Sequence, residues 1–374
     1  LGLPAVVGVG TEELEIPDGA LLVLDGDEGA LLVEPDEKTV EIHRRRQERA
    51  SALLAQARER AGEPAITRDG HRVEVVANIG SVAEAQVALE AGAEGVGLLR
   101  TEFLYMERSS LPDEEEQYRA YRAIVDQFGN RPVILRTLDI GGDKELACLD
   151  LPREMNPFLG LRAIRLCLAR PELFKPQLRA ALRAGAGRNL KVMFPMVSTV
   201  AEVRVARAML EECCAELLAE GQPVAEEMEI GIMVEVPAAA FLADRLASEV
   251  DFFSIGTNDL SQYTLAADRT NALVAPLADA FHPAVLRLVR DIIAAAHAQG
   301  KWVGLCGELA GEPLAIPILL GLGLDEFSMN APVIPLAKEI IRTLTLDQAR
   351  EVATAALELD SPEAVRALVS RRTG

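Results

Sequence analysis

The chain has 374 residues, 49% apolar and 4% aromatic, with 58 acidic against 38 basic side chains and a formal net charge of −20. That length allows one large core plus a smaller attachment, and the apolar fraction is that of a folded globular chain, not a disordered one. The acidity argues against a nucleic-acid or anionic-membrane partner, whose polyanionic surface the field repels, while a small anion needs only a local cluster of Arg and Lys.

No stretch reaches the roughly 20 apolar residues that span a bilayer. Leu1–Gly10 lacks the basic flank and long apolar run of a signal peptide. Five cysteines at scattered spacing make no disulfide framework, so a reducing cytoplasm is expected. The chain starts at Leu1 without Met and reads as a piece of a longer protein.

Two apolar runs, Leu21–Leu24 and Leu31–Glu34, flank a Gly/Asp turn and predict a hairpin. From Glu37 to Ala61 the sequence is rich in Arg, Glu and Ala and free of Gly and Pro, which predicts one long exposed helix from Pro35 to about Ala61. A domain boundary is expected near Pro64–Gly70. From Val73 short apolar runs alternate with helical patterns. The runs occupy 73–80, 95–101, 132–139, 190–196, 229–236, 250–257, 302–308 and 326–330. Near-continuous Val, Ile, Leu and Met mark strands buried on both faces, as in parallel sheets. Segments such as Pro112–Phe128, Val200–Leu218 and Pro283–Gln299 read as the helices between them. About eight β–α units predict an α/β fold with a (β/α)8 TIM-type barrel. An open doubly wound sheet is the alternative. It is disfavoured because polar residues stand at nearly every strand end instead of at one crevice.

In a barrel, the C-terminal strand ends build one pocket. Here they carry Arg100-Thr101-Glu102, Arg136-Thr137-Leu138-Asp139, Pro195-Met196, Glu235, Gly256-Thr257-Asn258-Asp259, Cys306-Gly307-Glu308 and Ser328-Met329-Asn330. Glu235 and Asp259 end adjacent strands. Two converging carboxylates repel unless a cation or proton sits between them, and few hard oxygen ligands suit Mg2+. Arg100, Arg136, Arg162, Lys144 and Arg269 are expected to supply excess positive charge, and guanidinium groups grip phosphate bidentately. This set fits a compact anion carrying phosphate and carboxylate. Cys306, followed by Gly307, reads either as a protonated general acid or as a thiolate nucleophile.

Each of these residues alone has an ordinary role to weigh. One Arg at a strand end is often a solvated charge. Asp259 alone reads equally as a helix N-cap. A lone Cys is more often a small apolar core residue, the reading kept for Cys148, Cys167, Cys213 and Cys214. Gly141-Gly142 alone could be only a turn. Asp113–Glu116 after Pro112 reads simply as a helix start. Trp302, Phe252 and Phe253 read as core, and His43, His71, His282 and His297 lack a nucleophile setting.

The segments ANIGSVAEAQVALEAGAEGVGLLRTEFLYMER, RTLDIGGDKEL, NPFLGLRAIR, GIMVEVPAAA, FFSIGTNDLSQYTLAADRTN and GLCGELAGEP resemble enzyme I of the bacterial sugar phosphotransferase system, the phosphoenolpyruvate–protein phosphotransferases. The resemblance covers nearly the whole chain. The related dikinases and phosphoenolpyruvate synthases share GTNDLSQ and the Cys. The resemblance implies a phosphoenolpyruvate (PEP)-binding barrel that is a homodimer in the cytoplasm. Glu235 and Asp259 would hold Mg2+, and Arg100, Arg136, Arg269 and Asn258 would bind the phosphate. Arg162 would contact substrate, Lys144 would lie near the phosphate, and Cys306 would protonate the enolate carbon. Residues 1–34 would be the tail of a swivelling phosphohistidine domain, 35–69 its helical linker, and 70–374 the barrel. The family's phospho-accepting His lies ahead of the segment at Leu1–Gly8. The chain is therefore expected to bind PEP without taking its phosphoryl group, which the parent would pass on to a phosphocarrier protein. Two alternatives share the same residues: a PEP-sensing dimerisation module, and the barrel of a dikinase or synthase. Gly311-Glu312-Pro313 and Leu277–Ala280 depart from the family pattern.

Overall fold

Leu22–Asp25 (β1) and Ala30–Val33 (β2) pair antiparallel, with Leu22 opposite Val33. This is the hairpin that two apolar runs around a Gly/Asp turn predict. The computed structural model describes residues 5–6, 16–26, 29–106, 108–141, 149 and 154–373. After the hairpin, one helix runs from Glu37 to Glu59, with Ala57 its buried residue. Asp36 caps it, its carboxylate accepting the Thr39 N–H at 2.7 Å. Its foot then meets the main body. Ala65–Ile66 (β3) pairs antiparallel with Arg72–Ile79 (β4), so the main sheet takes in residues ahead of 70.

The main body is the barrel. Its strands are β4, Val96–Leu99 (β5), Val133–Arg136 (β6), Leu190–Phe194 (β7), Ile230–Val234 (β8), Phe252–Ile255 (β9), Trp302–Leu305 (β10) and Glu326–Met329 (β11). Each is parallel to the next. Glu326–Met329 also pairs with Glu74–Ala77, which closes the ring and excludes the open sheet. Leu98, Ile134, Met193, Met233, Phe252 and Cys306 form a small buried cluster of their own. Trp302 stacks on Phe252 with ring centroids 4.5 Å apart, so both aromatics serve packing as expected.

A shell of helices buries the outer face of the strands. The helix Glu114–Phe128 starts where the acidic run predicts, with Asp113 as N-cap. Pro283–His297 starts at His282, whose Nδ1 accepts the Ala284 N–H at 3.1 Å. The chain ends in the helix Pro362–Thr373, seated on the core by Val365 and Val369. Among the described residues no helix is long and apolar enough to cross a membrane.

Candidate active site

The strand ends meet as the barrel requires. Arg136 ends β6, Glu235 follows β8, and Cys306 follows β10; all three are buried. Arg162 arrives from the loop after β6 as the residue before the helix Ala163–Ala169. Its approach depends on Gly141, which has φ +112° and where a Cβ would stand 2.4 Å from the Arg162 Cβ. Gly141 is therefore more than a turn residue.

Asp259 and Asn258 lie in the first turn of the helix Thr257–Leu265. Gly256 is the N-cap, so Asp259 does not cap this helix. Its carboxylate is turned into the pocket instead. Oδ1 stands 3.3 Å from Arg162 Nη1 and Oδ2 stands 3.2 Å from Arg269 Nη1. Asn258 Oδ1 accepts the Glu308 N–H at 3.0 Å, tying this helix to the loop after β10. Gly256 leaves room for Glu235, since a Cβ there would stand 2.9 Å from Glu235 Oε2. Glu235 Oε1 accepts the Met196 N–H at 2.6 Å. Met196 has φ +57°, a left-handed conformation for a non-glycine residue at a site of this kind. Arg100 follows β5 and is exposed. Its charge is close enough to lower the Cys306 pKa. Lys144 falls outside the described residues, as does Cys148.

Two carboxylates join this set that the sequence reading did not single out. Glu102 accepts from Arg136 Nη2 at 2.9 Å and from the Asp139 N–H at 3.1 Å. Asp139 bridges Arg136, at 3.0 Å, and Arg162, at 2.9 Å. Both carboxylates stand at strand ends in the sequence, which was the available signal. Behind them, Gln177 donates to Thr101 Oγ1 and accepts the Leu138 N–H. Tyr263 accepts from Arg162 Nη1 at 3.3 Å and donates to the Phe158 carbonyl at 2.5 Å. Neither Gln177 nor Tyr263 carries a sequence signal.

Three of the pocket arginines are paired with carboxylates. Arg136 pairs with Glu102 and Asp139, Arg162 with Asp139 and Asp259, and Arg269 with Asp259, while the charges of Arg136 and Arg162 also act on Glu235. Among the described residues the positive charge expected from sequence is largely compensated by these pairs, and the exposed Arg100 has no carboxylate among them. Burial, then Asp259 and Asp139, push the Glu235 carboxyl up to about 8, against the pull of Arg136 and Arg162. Burial likewise pushes the Cys306 thiol up to about 11, with Ser254 and Arg136 opposing. The thiol thus holds its proton at neutral pH, which favours the acid over the thiolate of the two readings.

The Nε atoms of Arg136 and Arg162 are buried without a hydrogen-bond partner. Buried donors of this kind cost free energy unless an acceptor arrives, and an anion supplies one. Arginines already paired with carboxylates attract a multiply charged anion less strongly than free ones would. A divalent cation at Glu235 and Asp259 would add positive charge and favour the ionised Glu235 carboxylate, which burial first and Asp259 next disfavour. Two carboxylates with room left for ligand oxygens and water fit Mg2+. Among the described residues no group of three or more His, Cys, Asp or Glu gathers as a metal set. A metal here would take its remaining ligands from substrate and solvent.

Known proteins resemble the chain over nearly its whole length. The chain is 51% identical over 371 residues to a phosphoenolpyruvate-protein phosphotransferase from Geobacillus stearothermophilus, covering 99% of this chain and 64% of the relative. The proteins of that name from Staphylococcus carnosus (strain TM300) and Bacillus subtilis (strain 168) are each 50% identical, over 100% and 99% of this chain. The chain spans 65% of the length of each of these two. The sequence profile described as PEP-utilising enzyme, PEP-binding domain, matches residues 54–346. That match takes in the foot of the long helix and every barrel strand, and by it the chain belongs to the PEP-utilising enzymes through their PEP-binding domain.

Proposed function

We propose that this chain is the PEP-binding and catalytic part of a PEP–protein phosphotransferase. The observation that carries the reading is the pair of buried Nε donors of Arg136 and Arg162, without a partner among the described residues, beside Asp259, the raised-pKa carboxyl of Glu235 and the protonated thiol of Cys306. Arg100, Arg136, Arg269 and Asn258 bind the phosphate, Arg162 contacts the substrate, and Lys144 lies near the phosphate. Glu235 and Asp259 hold Mg2+, which when bound contributes Lewis-acid charge toward the substrate oxygens.

The chemistry then follows from the side chains. A histidine nitrogen from the phosphohistidine domain of the parent attacks phosphorus as the bond from phosphorus to the enol oxygen breaks. The arginines stabilise charge on the transferring group, a task of positioning and electrostatics. Cys306 gives its proton to the enolate carbon, and pyruvate leaves. The phosphoryl group passes next to a phosphocarrier protein of the sugar phosphotransferase system. None of the four histidines here is assigned the acceptor role. His282 caps a helix and His297 pairs with Asp325 at 2.8 Å. His43 stands 3.4 Å from Asp25, and His71 follows the turn after β3. In this reading residues 1–34 belong to the phosphohistidine domain, 35–69 to its linker and 70–374 to the barrel. The parent works as a cytoplasmic homodimer.

Titration calorimetry with Mg2+ tests the reading. The chain should bind PEP, and Glu235→Ala and Asp259→Ala should each abolish the Mg2+-dependent part of that binding. Unchanged binding in both variants would remove the metal assignment. No binding by the unaltered chain would remove the function.

A further inference from the structure

Arg269 belongs to the segment between the helix Thr257–Leu265 and the helix Pro283–His297. This segment bears the exposed Leu273 and Leu277. A segment of that length needs anchors if it is to hold a guanidinium group in place. One lies at its start, where the Arg269 N–H donates to Gln262 Oε1 at 3.0 Å. The other lies at its end. Arg366, on the last helix, donates to both oxygens of Asp279, at 2.6 and 3.0 Å. The Arg366 guanidinium also sits 4.3 Å above the Phe281 ring. Asp279 in turn accepts the Phe281 N–H at 2.9 Å, so one carboxylate closes the turn and takes the arginine fork.

The clamp faces the site across a cavity of about 660 Å3. Asn258, Arg269 and Glu308 line one part of it, and Asp279, Phe281 and Arg366 line another. Arg366 is therefore not a remote surface charge. It sits on a helix fixed to the core by Val365 and Val369, and it holds the far end of the segment that carries Arg269.

We propose that Arg366, through its bidentate pair with Asp279, is a positioning residue that sets Arg269 for the phosphate of the substrate. The proposal rests on the PEP reading above. Arg366 touches no reacting atom; it works by limiting where the segment ending at His282 can go. Its side chain is partly exposed, so the effect belongs at the lower end of coupling magnitudes.

The experiment compares two ligands by calorimetry in the presence of Mg2+: PEP, and oxalate, which carries carboxylates but no phosphate. In Arg366→Ala, PEP affinity should fall about fivefold while oxalate affinity stays unchanged. Arg366→Lys should recover part of the loss, because it keeps the charge and loses the fork. The double variant Asp279→Ala with Arg366→Ala should lose no more than Arg366→Ala alone, as expected of one coupled unit. Amide exchange over 268–282 should quicken in Arg366→Ala. Unchanged PEP affinity in Arg366→Ala overturns the proposal and leaves the PEP reading intact. An equal fall for both ligands also overturns it, since that marks general loosening. Failure of the unaltered chain to bind PEP removes both.

Discussion

Glu102 shows how a buried arginine is kept in place. Arg136 and both its carboxylate partners are almost wholly buried, so none of the three gains much from water. Removing one partner leaves a buried charge with half its compensation, and broken buried pairs typically cost about 3–5 kcal/mol. Asp139 still faces Arg136, so the lower end applies. We expect Glu102→Ala to lose about 3 kcal/mol in urea unfolding and to weaken PEP binding, with Glu102→Gln losing less. A loss below about 1 kcal/mol would mean that Asp139 alone suffices. The same residue shows what sequence conveys at this scale. Arg136, Glu235, Asp259 and Cys306 were legible because the barrel rule brings strand ends together whatever lies between them. Glu102, a carboxylate two residues from an arginine, has no local mark that sets it apart from a solvated surface pair. Its partner is a different arginine, 34 residues away, and only the tertiary structure makes that pairing. Gln177 sits in mid-helix, where nothing local marks a residue that serves the site.

At the scale of elements, the strands declared themselves by composition. Parallel strands buried on both faces are mostly apolar, and most barrel runs were, with Glu326 and Ser328 of β11 the clearest exceptions. Periodicity carried no information on closure, because the pairing of Glu326–Met329 with Glu74–Ala77 joins opposite ends of the barrel sequence. The two-residue strand β3 was too short to leave a pattern. Contacts between neighbouring loops were equally hidden, and Gly307 is the sharpest case. A Cβ there would stand 2.0 Å from Thr257 Oγ1 and 2.7 Å from the Thr257 nitrogen. The loop after β10 thus packs directly on the start of the helix that carries Asp259. Gly307→Ala should force these two elements apart. The expected cost is about 2 kcal/mol in urea unfolding, in the range for overpacking, together with weaker PEP binding. A fully stable, fully binding Gly307→Ala would show that the two strand ends yield without displacing Asp259 or Cys306.

The whole molecule has two barrel ends with different chemistry and a long helix attached to one side. Away from the site, Glu326 opens β11, and burial, then Glu74 and Asp325, raise its carboxyl to about 8, against Lys191. A carboxyl pKa raised by folding means that the native state binds more protons than the unfolded one. Its contribution to stability is present below the unfolded value of about 4.3 and is lost as pH rises toward 8. Urea unfolding from pH 5 to 9 should therefore show declining stability, by on the order of a few kcal/mol, with Glu235 contributing in the same direction, and Glu326→Gln should remove only the Glu326 share of that slope. An unchanged slope in the variant would assign the decline to other groups. The attached helix depends on a second buried charge. Lys338 lies on the helix Ile334–Thr343, fully buried, and donates to the carbonyls of Ala61 at 3.0 Å, Glu63 at 3.2 Å and Gly92 at 2.6 Å. Glu94 Oε1 stands 3.4 Å from the same ammonium. Arg342, one turn on, donates to the Arg60 carbonyl at 3.0 Å and to the Pro64 carbonyl at 3.2 Å. One barrel helix therefore grips the foot of Glu37–Glu59 through backbone oxygens that have left the helical ladder. Lys338→Met keeps much of the apolar volume and strands three carbonyls and a carboxylate, a loss of about 3 kcal/mol. Amide exchange should quicken at 57–66 in this variant, while PEP binding in the barrel mouth stays near that of the unaltered chain. If exchange instead quickens throughout the barrel, Lys338 holds the barrel together and does not act as a joint between it and the long helix.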